Sequence, residues 1–357
     1  MMVRTRAIGM LPSRRQCARY GGDLRPRQRE ARDGPDSTQR RHGKTAVDCS
    51  YHHSVTFASA DLPLDGERLA SPALAPVMRA AYNSMVSSVE IARLSTGVSL
   101  PYVEEGGQSG VPLLLIHAWG ESRGSFSRLL PLLPRTVHAF AMDQRGHGDA
   151  DKPADGYAMA DFVADLVAFQ DTLGLGPCIL VGSSSGGYVA QRFAVDEPSR
   201  TLGLVLVGAP RSLHGGRPPF ADEVDRLTDP IDREWVRSSL DWFEFHQPVP
   251  AEYLADRIDD GVRMPAHVWK LALAGLAEAA VPTETGTIQA PTLIIWGDRD
   301  KGLPHGEELK LAAAIPRSRM VTYESTGHLV LWEQPERIAN DIAEFVDQVI
   351  RGGPPNG

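Results

Sequence analysis

The chain is poor in cysteine and aromatic residues and has no long apolar run. Three cysteines in 357 residues, Cys17, Cys49 and Cys178, cannot build a full disulfide framework. Cys178 stands inside an apolar run, where a small buried thiol is expected, so the expectation is a reducing, cytoplasmic compartment. No stretch approaches the roughly 18 to 20 apolar residues of a membrane-spanning helix, and the N-terminal region lacks the apolar core of a secretory signal. The expected chain is neither exported nor anchored, with no membrane partner. Metal-ligand spacing is also missing: His52 and His53 lie near Cys49, but no second ligand pair follows, so neither metal nor cofactor is expected.

The formal charge of -8 divides unevenly. Residues 1–84 carry 14 Lys plus Arg against 8 Asp plus Glu, a net +6, which leaves 23 against 37, a net -14, for the remainder. An acidic body has no long-range pull on nucleic acid, so no nucleic-acid partner is expected for it. Residues 1–84 show no sustained helical or alternating period and are rich in Arg, Gly, Pro and Ser, a composition that predicts disorder. Three readings of that head compete: a targeting arm, a nucleic-acid tail, or a translated stretch upstream of a start at Met85. The last is preferred, since the head shows a composition bias and no motif.

From Met85 the pattern changes. "MVSSVEIARLSTGVSLPYVEEG" resembles paired strands, and apolar runs at 112–120, 137–144, 178–185, 202–210, 290–298 and 320–326 follow. Continuous rather than alternating apolarity suits strands of a parallel sheet covered on both faces. Helices are predicted between them at 124–133, 158–173, 186–196, 305–314 and 334–350, which gives a mostly parallel, doubly wound α/β sheet with right-handed crossovers. Residues 211–285 break the rhythm with amphipathic, aromatic-rich segments and no strand. They are expected to form a helical cap on a core of 85–210 and 286–352.

Ligands of such sheets bind at the carboxyl ends of the strands. There "GSSSGG" (182–187) offers three serines, of which only Ser184 has glycine two residues to either side, at Gly182 and Gly186. A nucleophile on a sharp strand-to-helix turn needs small residues at both places. The absence of Lys after Gly187 excludes a phosphate-cradling loop, and the glycine spacing excludes a dinucleotide loop. A serine nucleophile needs a base oriented by an acid. His328, late in the chain and just after the last strand, is preferred over His117, His147, His246 and His305. Asp300 is preferred over Asp298, which leaves its strand directly and is expected to hold the loop.

These residues resemble the α/β-hydrolase superfamily over about 88–349. The resemblance rests on "HAWG", "DQRGHGDADKP", "GSSSGG", "WGDRDKGLP" and "GHLVLWEQPERI", taken in order; Ala118, Asp149 and Ala150 depart from the family pattern. It implies an oxyanion hole from the backbone N–H groups of Trp119 and Ser185, with Trp119, Trp242, Phe243 and Trp269 around the substrate pocket. The implied activity is a serine hydrolase acting on a small-molecule ester or lactone through an acyl-enzyme, by a triad of Ser184, His328 and Asp300. A haloperoxidase-like perhydrolase without cofactor and a C–C bond hydrolase are alternatives on the same triad. Outside enzymes, a ligand-binding receptor of this fold is the competing reading.

Overall fold

The computed structural model describes residues 88–215 and 218–352. The Arg-rich head, with Cys17, Cys49, His52 and His53, lies outside the described residues. Among these, eight strands form one sheet in the order β1-β2-β4-β3-β5-β6-β7-β8. They are β1 (Glu90–Arg93), β2 (Ser99–Gly106), β3 (Val111–Ile116), β4 (Val137–Met142), β5 (Cys178–Ser183), β6 (Thr201–Val207), β7 (Thr292–Gly297) and β8 (Ser318–Tyr323). β1 pairs antiparallel with β2, and β2 antiparallel with β4. All other neighbours are parallel.

Each apolar run is continuous because successive side chains enter different cores. Leu113 and Leu115 of β3 join one layer, with Val181, Val207 and Ile295. Leu114 and Ile116 join the other, with Leu180, Leu206 and Ile294. The first layer is covered by Ile338, Ile342, Phe345 and Val346, one helical face at spacings of four, three and one residues. The second is covered by Phe162 and Phe169 and by Tyr188, Val189 and Phe193. Cys178 lies in this second layer, where burial pushes its thiol up to about 11 and removes it from nucleophilic chemistry near neutral pH.

The helices are α1 (Met159–Thr172), α2 (Ser185–Asp196), α3 (Ala221–Asp225), α4 (Arg233–Ser239), α5 (Ala251–Arg263), α6 (Ala266–Glu278), α7 (Pro282–Thr285), α8 (His305–Ala314), α9 (Val330–Glu333) and α10 (Pro335–Ile350). The helix expected at 124–133 is replaced by two short 3-10 turns, Arg123–Phe126 and Leu130–Leu132. Gly124 lowers helix propensity there, and Pro131 removes a backbone donor. α3 to α7 fill the long connection between β6 and β7, so that insertion is helical in its described part. None of the described helices is long and apolar enough to cross a membrane.

One buried group works against stability. Glu308 of α8 is fully buried with both carboxyl oxygens unpartnered. Burial, then the charges of Asp300 and Glu307, push it from its ordinary value near 4.5 up to about 8. The folded state therefore holds this proton more tightly than the unfolded state. Stability falls as pH rises from about 4.5 through about 8, then levels off. Glu308→Gln is expected to raise the urea-unfolding free energy at pH 7 by at least about 1 kcal/mol, with the gain shrinking toward pH 4.5. Equal stabilities of the two proteins across that range would contradict this.

Candidate active site

The three serines follow β5 directly. Ser184 has φ 48° and ψ -121°, in the left-handed half of the map that non-glycine residues rarely occupy. Its backbone N–H donates to the carbonyl of Val207 at 2.9 Å, while its own carbonyl receives the N–H of Gly187 at 2.9 Å. The strained residue is thus held from both sides as the chain reverses from strand into α2. A Cβ at Gly182 would collide with the backbone of Gly186 and Gly187, and one at Gly186 with the carbonyl oxygens of Ile116, the last residue of β3, and of His117 just after it. Gly187 meets a third demand: its Cβ would strike the side chain of Ala209.

The Ser184 hydroxyl lies 3.0 Å from His328 Nε2, and His328 Nδ1 lies 2.7 Å from Asp300 Oδ2. The other oxygen, Asp300 Oδ1, accepts the backbone N–H groups of Gly302 at 2.8 Å and Leu303 at 2.9 Å, which fixes the carboxyl plane. The Asp300 side chain is fully buried and that of His328 nearly so. With Nδ1–H donating to Asp300, Nε2 is left to accept from serine. The structure therefore brings the three residues singled out in the sequence into one continuous hydrogen-bonded line. The rival Asp298 accepts Thr326 N–H at 3.3 Å and holds the loop before His328.

The rival histidines do other work. His117 accepts Gln144 N–H on Nε2 at 3.0 Å and donates from Nδ1 to Ala118 O at 2.8 Å. Burial, helped by the charges of Arg257 and Arg123, pulls it down to about 4. His147 packs on it, at a ring separation of 5.2 Å, and burial pulls it down to about 3. Both stay neutral near pH 7 as loop architecture. His305 stacks on Trp296, and His246 lies beside Glu244. The "DQRGHG" loop is fixed by Arg145, which forks onto Asp165 with two 2.6 Å bonds and reaches Gly156 O, and by Asp143, which accepts the N–H groups of Arg123 and Asp149.

Two contributions were not singled out in the sequence. Glu333, nearly buried on α9, accepts Gly327 N–H at 3.0 Å with one oxygen. With the other it accepts His246 N–H at 3.0 Å and Gln247 N–H at 2.8 Å. It ties the loop carrying His328 to the segment after β6, from which Phe243 stacks on the His328 ring at 4.8 Å and 19°. The second is the Ser185 hydroxyl, which accepts the backbone N–H of Trp119 at 2.7 Å. The family resemblance implies a part only for the Ser185 backbone N–H.

A cavity of about 410 Å³ has Ser184, Ser185 and His328 on its wall. Trp119, Trp242, Phe243 and Trp269 all line it. Phe220, not anticipated, completes an aromatic stack, 5.8 Å from Trp119 and 4.0 Å from Trp242 with rings nearly parallel. Trp269 is clamped rather than free: it packs edge-on to Trp119 at 4.7 Å and to Trp235 at 5.2 Å, and its Nε1–H donates to Gly261 O at 3.2 Å.

A mostly parallel sheet, a strained serine at the carboxyl end of a central strand, and a histidine and an acid delivered by later loops define a hydrolase of α/β fold. The sequence model of the alpha/beta hydrolase fold family matches residues 111–335, and the chain belongs to that family. It is 28% identical over 275 residues to a non-heme chloroperoxidase of Streptomyces lividans, covering 71% of this chain and 97% of that one. To 2-hydroxymuconate semialdehyde hydrolase of Pseudomonas sp. (strain CF600) it is 28% identical over 290 residues, covering 74% and 96%. A solved thermophilic esterase of Thermogutta terrifontis, 25% identical, matches 74% of this chain and 99% of that one with a TM-score of 0.61.

Proposed function

We propose that the protein is a carboxylic ester hydrolase acting on small esters or lactones through an acyl-enzyme. Ser184 attacks the carbonyl carbon while His328 Nε2 takes the hydroxyl proton, and Asp300 holds the imidazole in the required tautomer and stabilises the imidazolium. The proton then passes to the leaving alkoxide. Water, deprotonated by the same histidine, cleaves the acyl bond. The observation that carries this reading is the unbroken line from Ser184 Oγ through His328 to Asp300, at 3.0 and 2.7 Å. The resemblance to a solved esterase supports it.

The developing oxyanion would be met by the backbone N–H groups of Ser185 and Trp119, donors fixed before reaction and worth about 2.7–4 kcal/mol each. Turnover of short 4-nitrophenyl acyl esters by the full chain tests the proposal, together with an acyl adduct on the peptide carrying Ser184 after rapid acid quench. Absence of both contradicts it. The chloroperoxidase relative favours one second reading, in which peroxide replaces water on the same acyl-enzyme. Peroxide-dependent bromination that rises with added acetate would support that branch.

Ser185 has a further consequence. Its hydroxyl holds the Trp119 N–H that an oxyanion would need, so substrate and side chain compete for one donor. A neutral hydrogen bond contributes about 0.5–1.5 kcal/mol net. Ser185→Ala is expected to raise kcat/KM by up to about tenfold, in the steady-state kinetics of 4-nitrophenyl acetate. A loss of comparable size would instead make the hydroxyl a donor to the substrate.

A further inference from the structure

Phe243 comes from the helical insertion, yet it sits against the catalytic end of the core. Its ring stacks on the imidazole of His328, with 4.8 Å between centroids and 19° between planes. The short segment 243–247 that begins with it is fastened to both loops that deliver the triad. On one side Glu244 pairs with Lys301, the residue after Asp300. On the other, Glu333 accepts the N–H groups of His246 at 3.0 Å and Gln247 at 2.8 Å, while its second oxygen accepts Gly327 N–H at 3.0 Å. The Gln247 side-chain amide also donates to Ser325 O at 2.8 Å. A Cβ on Gly327 would strike Glu244 O, so glycine just before His328 lets the two backbones meet. Ahead of the segment, Phe243 N–H donates to Leu240 O at 3.0 Å and closes the turn. The ring is therefore held on the imidazole from both flanks.

The imidazole takes the Ser184 proton and carries a positive charge until it passes that proton on. An aromatic face is negative through its quadrupole, so it attracts a cation lying within about 6 Å over it and gains little from a neutral ring. The stack thus favours the charged state reached during attack over the resting one, and only such a difference speeds the chemical step. Asp300 acts on His328 through Nδ1, in the plane of the ring; Phe243 acts on its face. We propose that Phe243 is a positioning residue for the reaction, an aromatic ring supplied by the insertion that fixes the imidazole plane and stabilises the imidazolium of His328. This rests on the ester-hydrolase reading above and ties the insertion to its chemistry as well as to its pocket.

The test places singly, doubly and triply fluorinated phenylalanine in the full chain in place of Phe243. Fluorine keeps the ring's shape and apolar character close to the original while draining its negative face. With 4-nitrophenyl acetate, kcat should fall stepwise with each fluorine, reaching a loss of about five- to thirtyfold, the range expected for a cation over an aromatic face. KM should stay within about twofold, because both acylation and deacylation pass through the same imidazolium. Phe243→Leu, which keeps apolar bulk without the ring face, should lose a similar amount. A kcat that stays level across the fluorinated series, with ester turnover intact, overturns the proposal and leaves the ester-hydrolase reading standing. A change in KM alone makes Phe243 a wall of the substrate pocket and overturns it too. If the unmodified chain turns over no ester, the ester-hydrolase reading fails, and the stack is judged by the rate at which a fluorophosphonate labels Ser184, an attack that needs the same proton transfer. Labelling that slows in step with fluorine content supports the stack; equal rates, or no labelling, overturn it.

Discussion

Ser184→Ala is expected to reduce ester turnover by about 10^4-fold or more, the scale seen when the nucleophile of a serine triad is removed. The fold should survive, because the hydroxyl contributes one hydrogen bond, to His328, and nothing to the turn itself. The turn is held by backbone bonds from Ser184 to Val207 and Gly187, which alanine keeps. Ser184→Gly separates chemistry from strain. It should be equally inactive yet more stable than alanine by about 1 kcal/mol, since a φ of 48° costs glycine little. Turnover of 4-nitrophenyl acetate and urea denaturation of both variants measure the two effects. Activity retained in either variant would move the nucleophile elsewhere.

Asp300→Asn should cost about 10^3 to 10^4 in kcat, for a reason visible in the loop geometry. Two backbone N–H groups, of Gly302 and Leu303, point at Asp300 Oδ1 and demand an acceptor. An asparagine satisfies them with its carbonyl oxygen and must then aim its NH2 at His328 Nδ1. That nitrogen becomes an acceptor, the proton moves to Nε2, and Nε2 can no longer take the serine proton. The side chain is nearly isosteric and the bonding count is kept, so stability should change little while kcat falls and KM stays close to its original value. A kcat within tenfold of the parent protein would show that Asp300 does not set the histidine's tautomer.

Much of this was legible because it depends on local sequence. The apolar runs gave the sheet, since a strand covered on both faces must be apolar throughout. Gly182 and Gly186 singled out Ser184 among three serines, and both glycines meet neighbouring backbone where expected, on α2 and on β3. Late loops after β7 and β8 located Asp300 and His328. What stayed hidden depends on tertiary contact. Glu333 sits in an ordinary helical turn, and its task appears only when Gly327, His246 and Gln247 present three backbone donors to it. Phe220 follows two prolines and lines the cavity only because the insertion folds back over Trp119 and Trp242. The missing helix at 124–133 is the reverse case: its apolar spacing is helical, but Gly124 and Pro131 break it into two turns.

We propose that Ser184, activated by His328, is the nucleophile. Treating the full chain with a fluorophosphonate and locating the adduct by peptide mass spectrometry puts this to the test. One stoichiometric adduct is expected, on Ser184 rather than on Ser183 or Ser185, and it should disappear in His328→Ala. No adduct, or an adduct at another residue with ester turnover lost alongside, would contradict it.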